Sequence, residues 1–478
     1  MYIYKHLLIA IKKYFLCVFT RDLSFDWTMM KFLISKLFVS MFVCNTVLCD
    51  SSKPLLLTPM LCRGDISTAR DYSRVQDQDG VIPTSYSGFI TVDELIGNHL
   101  FFWFFPAMNS DPTAPLVVWL NGGPGVSSEL GLFYENGPFK FRETENGEVG
   151  YERRNNSWAE TFSMLYIDNP VGVGYSYSDS GEEGYRSTQE EYTQDLYEFI
   201  QQFYVMFPEY LQRELYIGGQ SYAGKYVPAF AYRIHEEIQA NRTNIPLTGI
   251  YLGGPLIDLE VQGPIQADLF YSLGFISAKQ KQDFEIRSKE YIRDIVSGQK
   301  KFNVFHDFEK VFLLGVCPGC WDNLRQLKNA PYESVLKVML LLRELVHAGN
   351  KPFHDFNTDV LIKLTSDYFV STTVQFTKLM DNYKVLVFVG SDDGVISSPS
   401  AEALLTSIPW SLQSEYNDAK RLVWAGLEKN DVKGFYTRVG QFCRVTVLGA
   451  GHQVPHDQPE NTLLMMTEFI NNGCISEN

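Results

Sequence analysis

The chain has 478 residues, of which 45% are hydrophobic, 14% aromatic and 20% charged. This is the composition of a globular protein that can bury a large core, as one enlarged domain or two. The formal net charge of −15 argues against a nucleic-acid partner, which would require a basic surface.

The N-terminal segment is predicted to be a targeting sequence. From Met30, the stretch MKFLISKLFVSMFVCNTVLCD has a basic start and an apolar run from Leu37 to Leu48. This is the form of a secretory signal peptide, and the run is too short to span a bilayer comfortably. We therefore predict a gene-model extension over 1–29, a signal peptide over 30–49, and a secreted or lysosomal protein without stable membrane insertion. An uncleaved N-terminal anchor is the alternative.

Five of the eight cysteines follow this segment, at positions 62, 317, 320, 443 and 474. In an oxidising compartment some of them should pair, and the odd number leaves one over. The motif CPGC at 317–320 favours a structural disulfide. A redox pair would have thioredoxin-like surroundings, and a zinc site would need a second pair of ligands beyond His306.

Two N-x-S/T sequons are present, at Asn155 and Asn241. Asn241 lies in the polar stretch QANRTN, which is typical of a surface loop that accepts a glycan. Asn155 lies near Trp158 in what we expect to be a packed turn, and it is the second candidate. The tripeptide RGD within 62–65 is too short a match to predict integrin binding.

Short β-rich runs that end in glycine or a turn recur along the chain. They lie at 99–105, 115–120, 163–168, 214–219, 249–254, 384–390 and 444–449. Most are continuously apolar, as expected of strands that are buried on both faces. Helical patterns lie between them, for example at 187–207 and 222–239. This alternation predicts an α/β fold with a mostly parallel central sheet and helices on both faces.

The chain changes character between about residues 262 and 375. Charged helical segments dominate there, including 277–296 and 332–346, and no convincing strand pattern occurs. We predict a helical cap over 262–375, inserted between the two parts of one sheet-based core at 50–261 and 376–478.

The stretch GGQSYAGKY at 218–226 places Ser221 between a predicted strand and a predicted helix. This is the context of a nucleophile elbow, a tight turn that requires small residues two positions before and after the serine. Gly219 and Ala223 meet that requirement, although alanine replaces the last glycine of G-x-S-x-G. The alternative is that Ser221 is an ordinary helix N-cap, which would not need the glycine pair before it.

A serine nucleophile needs a base, and the base needs an orienting carboxylate. Asp393 follows the run KVLVFVG, and His452 follows the run RVTVLG. Serine, aspartate and histidine therefore occur in the chain order of the α/β-hydrolase triad. Asp392 and His456 occupy similar positions and are the alternatives.

The loop WLNGGPG at 119–125 is a candidate for the oxyanion hole. It follows a predicted buried strand, and its glycines allow backbone N–H groups to approach a substrate oxygen. The candidate donors are the amides of Gly123 and of Tyr222, the residue after the proposed nucleophile. A Gly-Gly-Pro-Gly loop is often a plain turn, and its position after the strand is what favours a function.

Four blocks resemble the hallmark motifs of the serine carboxypeptidases. They are WLNGGPGVSS at 119–128, IDNPVGVGYSYS at 167–178, GGQSYAGKYVP at 218–228 and GAGHQVPHDQPE at 449–460. The similarity runs from about residue 80 to residue 472. Through FPEY, GQSYAGKYVPA and MDNYKVLVFVG, the sequence is most similar to the vitellogenic carboxypeptidase-like branch of the family.

The resemblance implies an exopeptidase that releases one C-terminal residue from a peptide or protein, on an α/β-hydrolase fold with a helical cap. It implies no metal and no cofactor. It assigns Ser221, Asp393 and His452 as the triad, and the amides of Gly123 and Tyr222 as the oxyanion hole. The implied contacts to the carboxylate of the substrate are Trp119, Asn121, Gly122, Glu135 and Gln220.

Gln220 departs from the family pattern. Members usually carry glutamate before the nucleophile, paired with the equivalent of Glu135, and the two carboxyls share a proton because both cannot easily ionise in contact. The amide of Gln220 is a permanent donor instead. Our hypothesis is that the pocket still binds a carboxylate but depends less on acidic pH. The alternative is a neutral change in a weakened enzyme.

Two other functions remain open at this stage. One is an acyltransferase on the same scaffold, although the retention of Glu135 and Asn121 argues against it. The other is a secreted binding protein that kept the fold without catalysis. The sequence does not predict the side-chain preference around the scissile bond or the oligomeric state.

Overall fold

The computed structural model describes residues 52–143, 149–301, 303, 324, 332–426 and 431–476. The predicted extension, the predicted signal peptide and the CPGC motif lie outside the described residues. Among the described helices, none combines the length and apolar character that a bilayer span requires.

The described strands form one large sheet and one separate hairpin. They are β1 Arg74–Val75, β2 Ser85–Asp93, β3 Asn98–Phe105, β4 Leu116–Leu120, β5 Phe139–Glu143, β6 Val149–Arg153, β7 Ser163–Ile167, β8 Tyr177–Ser178, β9 Leu215–Gln220, β10 Leu247–Gly253, β11 Lys384–Gly390, β12 Leu422–Ala425, β13 Val432–Val439 and β14 Phe442–Val447. Strands β5 and β6 form the hairpin, and the other twelve form the sheet.

The middle of the large sheet is parallel. Its six central strands follow the order β7-β4-β9-β10-β11-β14. Antiparallel strands extend it at both ends, with β3, β2 and β1 at one end and β13 and β12 at the other. The six central strands lie within two residues of six of the predicted runs, and the seventh run forms β3. The sequence therefore predicted the parallel core and missed most of its antiparallel extensions.

Both faces of the central sheet are buried, which explains why its strands are continuously apolar. In β4, Leu116, Val118 and Leu120 belong to the hydrophobic core on one face. The alternating residues Val117 and Trp119 belong to the core on the other face. Successive side chains of a strand point to opposite faces, so a strand with a core on each side has no polar position.

Helices pack against the strands of the sheet and against one another. They are α1 Thr58–Arg63, α2 Ile66–Ser73, α3 Gln189–Met206, α4 Ala223–Gln239, α5 Leu259–Ile265, α6 Ala267–Ser272, α7 Ala278–Val296, α8 Tyr332–Leu342, α9 Thr358–Lys363, α10 Thr373–Met380, α11 Ser398–Ser407, α12 Gln413–Asp418, α13 Val454–Asp457 and α14 Pro459–Asn472. Helix α3 begins with a capping box in which Thr188 and Glu191 bond each other's backbone N–H groups.

The described residues between β10 and β11 are helical. They include α5 to α10 and a 3₁₀ segment, Thr365–Phe369, and they contain isolated bridges but no strand. We call the described residues within 254–383 the inter-strand helical region. Its helices begin before the predicted cap and end after it, and the boundaries 262–375 stay a prediction. Helix α8 ends at Leu342, four residues before the end of the predicted helical segment 332–346.

One disulfide lies within the described residues. Cys443 of β14 is bonded to Cys474, which follows α14. The bond ties the C-terminal end of the chain to the central sheet, and it agrees with the expectation that some of the cysteines pair. At the two sequons, the side chains of Asn155 and Asn241 are both exposed. Asn155 lies in a turn that leads into the buried residues Ser157, Trp158 and Ala159, as expected, but its own side chain is not packed. Modification at either site stays a prediction.

Candidate active site

Ser221 lies in a strained turn between β9 and α4. Its φ of 63° is in the left-handed region, which a non-glycine residue adopts at a cost of about 1–3 kcal/mol and retains where the surroundings hold it. The surroundings do so here. Its N–H donates to Gly253 O at 2.9 Å, and its carbonyl accepts from Gly224 N at 2.9 Å and from Leu256 N at 3.0 Å. The N-cap position of α4 is Tyr222, which makes no side-chain cap bond. Ser221 therefore has the geometry of an elbow and is not the N-cap.

The small residues on either side of Ser221 are required by close packing. A Cβ at Gly219 would lie 1.9 Å from Leu120 O and 2.8 Å from the Cβ of Ala223. Ala223 is itself fully buried. Glycine is thus essential at position 219, whereas a methyl group fits at position 223, and this is why the motif can end in alanine.

Asp393 and His452 form a buried pair. His452 Nδ1 lies 2.9 Å from Asp393 Oδ2, and the two residues are 5% and 0% exposed. Asp393 Oδ1 accepts from the backbone N–H groups of Val395 at 2.8 Å and Ile396 at 2.9 Å. A carboxylate held by three donors fixes the ring of the histidine and determines which nitrogen carries the proton.

Gly254 links this pair to the elbow. The residue before it, Gly253, accepts the N–H of Ser221. A Cβ at Gly254 would lie 2.7 Å from Asp393 Oδ2 and 3.2 Å from His452 Nδ1. The pair therefore lies directly against the segment that supports Ser221. All three residues follow strands of the parallel core, at the edge of the sheet where ligands of α/β proteins usually bind.

The alternative residues of the triad have other contacts. The ring of His456 stacks on Tyr134 with centroids 3.7 Å apart, and His456 Nδ1 lies 3.1 Å from Tyr134 O. The backbone N–H of Asp392 donates to Ala450 O at 2.8 Å. The carboxylate bonded to His452 Nδ1 is that of Asp393. The geometry therefore favours Asp393 over Asp392 and His452 over His456.

The glycine loop after β4 packs directly on the elbow. A Cβ at Gly122 would lie 2.5 Å from Tyr222 N and 2.8 Å from Ser221 Cβ. The next residue, Gly123, has a φ of 105°, which side chains rarely allow. The two predicted oxyanion donors, the amides of Gly123 and Tyr222, thus belong to backbone segments in mutual contact beside Ser221.

Four of the five predicted carboxylate-binding residues form two hydrogen-bonded pairs, and all five, including Gly122, are buried. Trp119 Nε1 donates to Asn121 Oδ1 at 2.6 Å, and Gln220 Nε2 donates to Glu135 Oε1 at 2.6 Å. The π-helical turn Gly131–Asn136 carries Glu135, and its first residue lies against the other pair. A Cβ at Gly131 would lie 2.1 Å from Trp119 Nε1. One turn therefore brings the two pairs together next to the nucleophile.

Arg154 supports this turn and was not predicted from the sequence. It donates to the carbonyl oxygens of Phe133 and Gly137. Burial lowers the pKa of Arg154 to about 10, and the charge of Glu135 opposes that shift. The guanidinium therefore stays protonated at neutral pH and offers Glu135 a nearby positive charge.

A second pair of carboxyls, which was also missed from the sequence, lies behind the glycine loop. Asp168 accepts from Ser127 Oγ at 2.6 Å and from the N–H groups of Ser128 and Tyr175. Glu129 is fully buried, and its two oxygens have no hydrogen-bond partner among the described residues. Burial, followed by the charge of Asp168, raises the pKa of Glu129 well above its usual value. We assign the negative charge to Asp168, which has the donors, and the proton to Glu129.

The described residues contain no group of three or more histidine, cysteine, aspartate or glutamate side chains placed to hold a metal ion.

Comparison with known proteins identifies the family. The profile of the serine carboxypeptidases matches residues 76–472. The chain is 36% identical to the human probable serine carboxypeptidase CPVL over 436 residues, which cover 88% of this chain and 90% of the human protein. It is 34% identical to the vitellogenic carboxypeptidase of Aedes aegypti over 444 residues, which cover 89% of this chain and 92% of the mosquito protein.

A solved structure confirms the predicted fold. The prohormone-processing carboxypeptidase Kex1 of Saccharomyces cerevisiae superimposes with a TM-score of 0.70, covering 84% of this chain and 96% of the yeast one. Their sequence identity is 20%, so this likeness concerns the fold alone. The family profile and the two relatives show that the chain belongs to the serine carboxypeptidase family.

Proposed function

We propose that this chain is a serine-type carboxypeptidase that releases C-terminal residues from peptides through an acyl-enzyme on Ser221. The observation that carries the proposal is the 2.9 Å contact between His452 Nδ1 and Asp393 Oδ2, beside the loop that supports Ser221. An oriented imidazole next to a serine on a strained elbow is the arrangement that activates a hydroxyl for acyl transfer.

In the first half of the reaction, His452 accepts the proton of Ser221 as the hydroxyl oxygen attacks the last peptide carbonyl. The amides of Gly123 and Tyr222 stabilise the negative oxygen that forms. The peptide C–N bond then breaks, and the imidazolium returns its proton to the departing amino group. In the second half, His452 takes a proton from water as the water oxygen attacks the ester carbonyl. The ester C–O bond then breaks, the imidazolium returns its proton to the oxygen of Ser221, and the shortened peptide leaves. Asp393 holds the ring throughout without accepting the proton.

Recognition of the free carboxylate of the substrate uses neutral donors. One hydrogen of Gln220 Nε2 bonds Glu135, and the second is available for the substrate. Asn121 Oδ1 is occupied by Trp119, which leaves the amide nitrogen of Asn121 as a donor. The backbone N–H of Gly122 completes the set. None of these donors titrates, and Arg154 is close enough to interact electrostatically with Glu135, so binding of the substrate should depend less on acidic pH.

We place the protein in the secretory pathway, as a secreted or lysosomal enzyme that acts on peptide or protein C-termini. The support is the signal-like sequence over 30–49, the exposed sequons at Asn155 and Asn241, and the Cys443–Cys474 disulfide.

The test uses the full chain secreted from eukaryotic cells, with two matched peptides that differ only in a free or an amidated C-terminus. Mass spectrometry should detect stepwise loss of single residues from the free acid and no loss from the amide. Ser221→Ala should reduce the rate by at least about 10⁴-fold. Transfer of the peptidyl group to an added alcohol in preference to water would indicate an acyltransferase. No turnover and no labelling by a fluorophosphonate would indicate a binding protein.

A further inference from the structure

We propose that Asp367 and Tyr368 are positioning residues that align the two halves of the oxyanion hole; this inference rests on the function proposed above. The hydroxyl of Tyr368 donates to Gly123 O at 2.7 Å, and the hydroxyl of Tyr222 donates to Asp367 Oδ2 at 2.5 Å. Two neighbouring residues of the 3₁₀ segment Thr365–Phe369 therefore contact both residues whose amides face the developing oxyanion.

The contact of Tyr368 acts on a segment with little stiffness of its own. Gly123 lies in a run of glycines at a φ that few other residues adopt. A hydrogen bond from a fully buried phenol to its carbonyl oxygen restrains this residue. Because peptide groups are planar, restraining one of them limits the directions in which the neighbouring N–H can point.

The contact of Asp367 acts on the other half of the hole. Tyr222 is 1% exposed, and its ring packs edge-on against Tyr226 and Tyr368, with centroids 5.2 Å and 4.9 Å away. Asp367 Oδ2 also accepts the hydroxyl of Tyr192 at 3.3 Å. The phenol of Tyr222 is thus fixed on all sides, and its backbone N–H, next to Ser221, is fixed with it.

The segment around Asp367 is itself anchored to the start of α4. Lys225 is fully buried, and its Nζ donates to Val370 O at 2.6 Å and to Ile257 O at 2.9 Å. Thr372 Oγ1 donates to Gly224 O at 2.9 Å. The first turn of the elbow helix and residues 367–372 therefore form one rigid unit that also touches Gly123. This unit sets the distance between the two amides.

The charges that face Asp367 favour its ionised form as an acceptor. Burial raises the pKa of Asp367, whereas the hydroxyl bond from Tyr222, the charge of Lys225 and the bonds from Tyr192 and Gln189 oppose that shift. Burial lowers the pKa of Lys225 to about 8, with Asp367 and Asp258 opposing. These groups support the geometric argument, which depends on the two hydrogen bonds to the hole.

The test measures two properties of Tyr368→Phe: the second-order rate of labelling by a fluorophosphonate, whose P=O oxygen enters the oxyanion hole, and the kcat and KM for a free-acid peptide. We expect both the labelling rate and kcat to fall about tenfold, a fraction of the 10²–10³-fold loss seen when a whole donor is removed. KM should stay within about twofold, because the carboxylate contacts are untouched.

Tyr175→Phe is the matched control. Tyr175 is 1% exposed and donates its hydroxyl to a backbone carbonyl, Met339 O, at 2.5 Å, away from the hole. It should lower the melting temperature about as much as Tyr368→Phe and leave the labelling rate unchanged. A Tyr368→Phe enzyme with the wild-type labelling rate, or an equal loss of labelling in both variants, would overturn the proposal.

Asp367→Asn and Asp367→Ala provide a second test if Tyr368→Phe does not fold. Asparagine keeps an acceptor for Tyr222, so it should label faster than the alanine variant. Equal labelling of both at the wild-type rate would contradict the role of Asp367. A wild-type protein that neither cleaves the peptide nor reacts with the probe would instead remove the proposed function, and that result is distinct from either failure above.

Discussion

The carboxyl edge of the parallel sheet and the inter-strand helical region contribute to the site in different ways. The edge carries the proposed triad, because Ser221, Asp393 and His452 each follow a strand of the core. The helical region supplies Asp367 and Tyr368, which bond the residues of the proposed oxyanion hole. In this account, strand register positions the proposed triad, and the helical region positions the proposed backbone donors.

The largest expected effect is the difference in kcat between substitutions of two histidines that both follow β14. His452→Gln should reduce kcat by about 10⁴-fold, since no oriented base then remains for Ser221. His456→Gln should reduce it by less than about tenfold, because His456 packs on Tyr134 and has a supporting role. Peptide hydrolysis by the two purified variants measures the ratio, and equal losses would contradict the assignment of the base.

A smaller effect should come from crowding the edge of the sheet. Gly254→Ala places a methyl group against Asp393 and His452, and such a displacement should reduce kcat by about 100-fold. Gly274→Ala is the control, because Gly274, between α6 and α7, also has a positive φ but open space around it. Both variants should lose about 1 kcal/mol of stability from the backbone strain alone. If Gly274→Ala lost as much activity, backbone strain rather than crowding of the pair would explain the result.

Gln220→Glu should change the pH dependence of kcat/KM more than it changes the maximum value of kcat/KM. Two carboxyls at positions 220 and 135 would share one proton, with the pKa of the pair raised by their mutual repulsion. The protonated donor is present at low pH and lost as pH rises through that pKa. Between pH 5 and pH 7.5, kcat/KM of the variant should therefore fall about tenfold relative to that of the wild type. Superimposable profiles would show that Gln220 does not set the pH dependence.

The smallest effect concerns stability. Because the pKa of Glu129 is raised in the folded state, its contribution to stability is fully present below the pKa of the unfolded chain and is lost as pH rises through the folded value. In that window the free energy of unfolding should fall by about 1.4 kcal/mol per pH unit from this group. Urea denaturation from pH 5 upward should show that Glu129→Gln removes this slope. Glu290→Gln, at an exposed position on α7, should keep it, and an unchanged slope in Glu129→Gln would contradict the assignment of the proton.

The sequence predicted the parallel core well, because strands buried on both faces are continuously apolar and end in recognisable turns. It missed β12 and β13, whose residues are largely exposed or polar and therefore lack that pattern. The triad was predictable for a related reason. A reactive side chain placed directly after a buried strand leaves a local signal, as Ser221 does between its glycine and alanine neighbours.

The supporting residues could not be predicted in the same way. Asp367 and Tyr368 form hydrogen bonds with residues 145 and 245 positions away in the chain, so no local sequence pattern predicts these contacts. Glu129 was missed because a glutamate is ordinarily exposed, and its complete burial depends on the packing of two loops that the sequence does not show. Contacts between segments that are distant in the chain can be identified only from the three-dimensional structure.

The most direct measurement of the central claim is mapping of the covalent adduct that a fluorophosphonate forms with the full secreted chain. Digestion and mass spectrometry should locate one adduct per molecule, on Ser221, and His452→Gln should reduce its rate of formation by several orders of magnitude. An adduct on another residue, or a folded wild-type protein that forms none, would contradict the account.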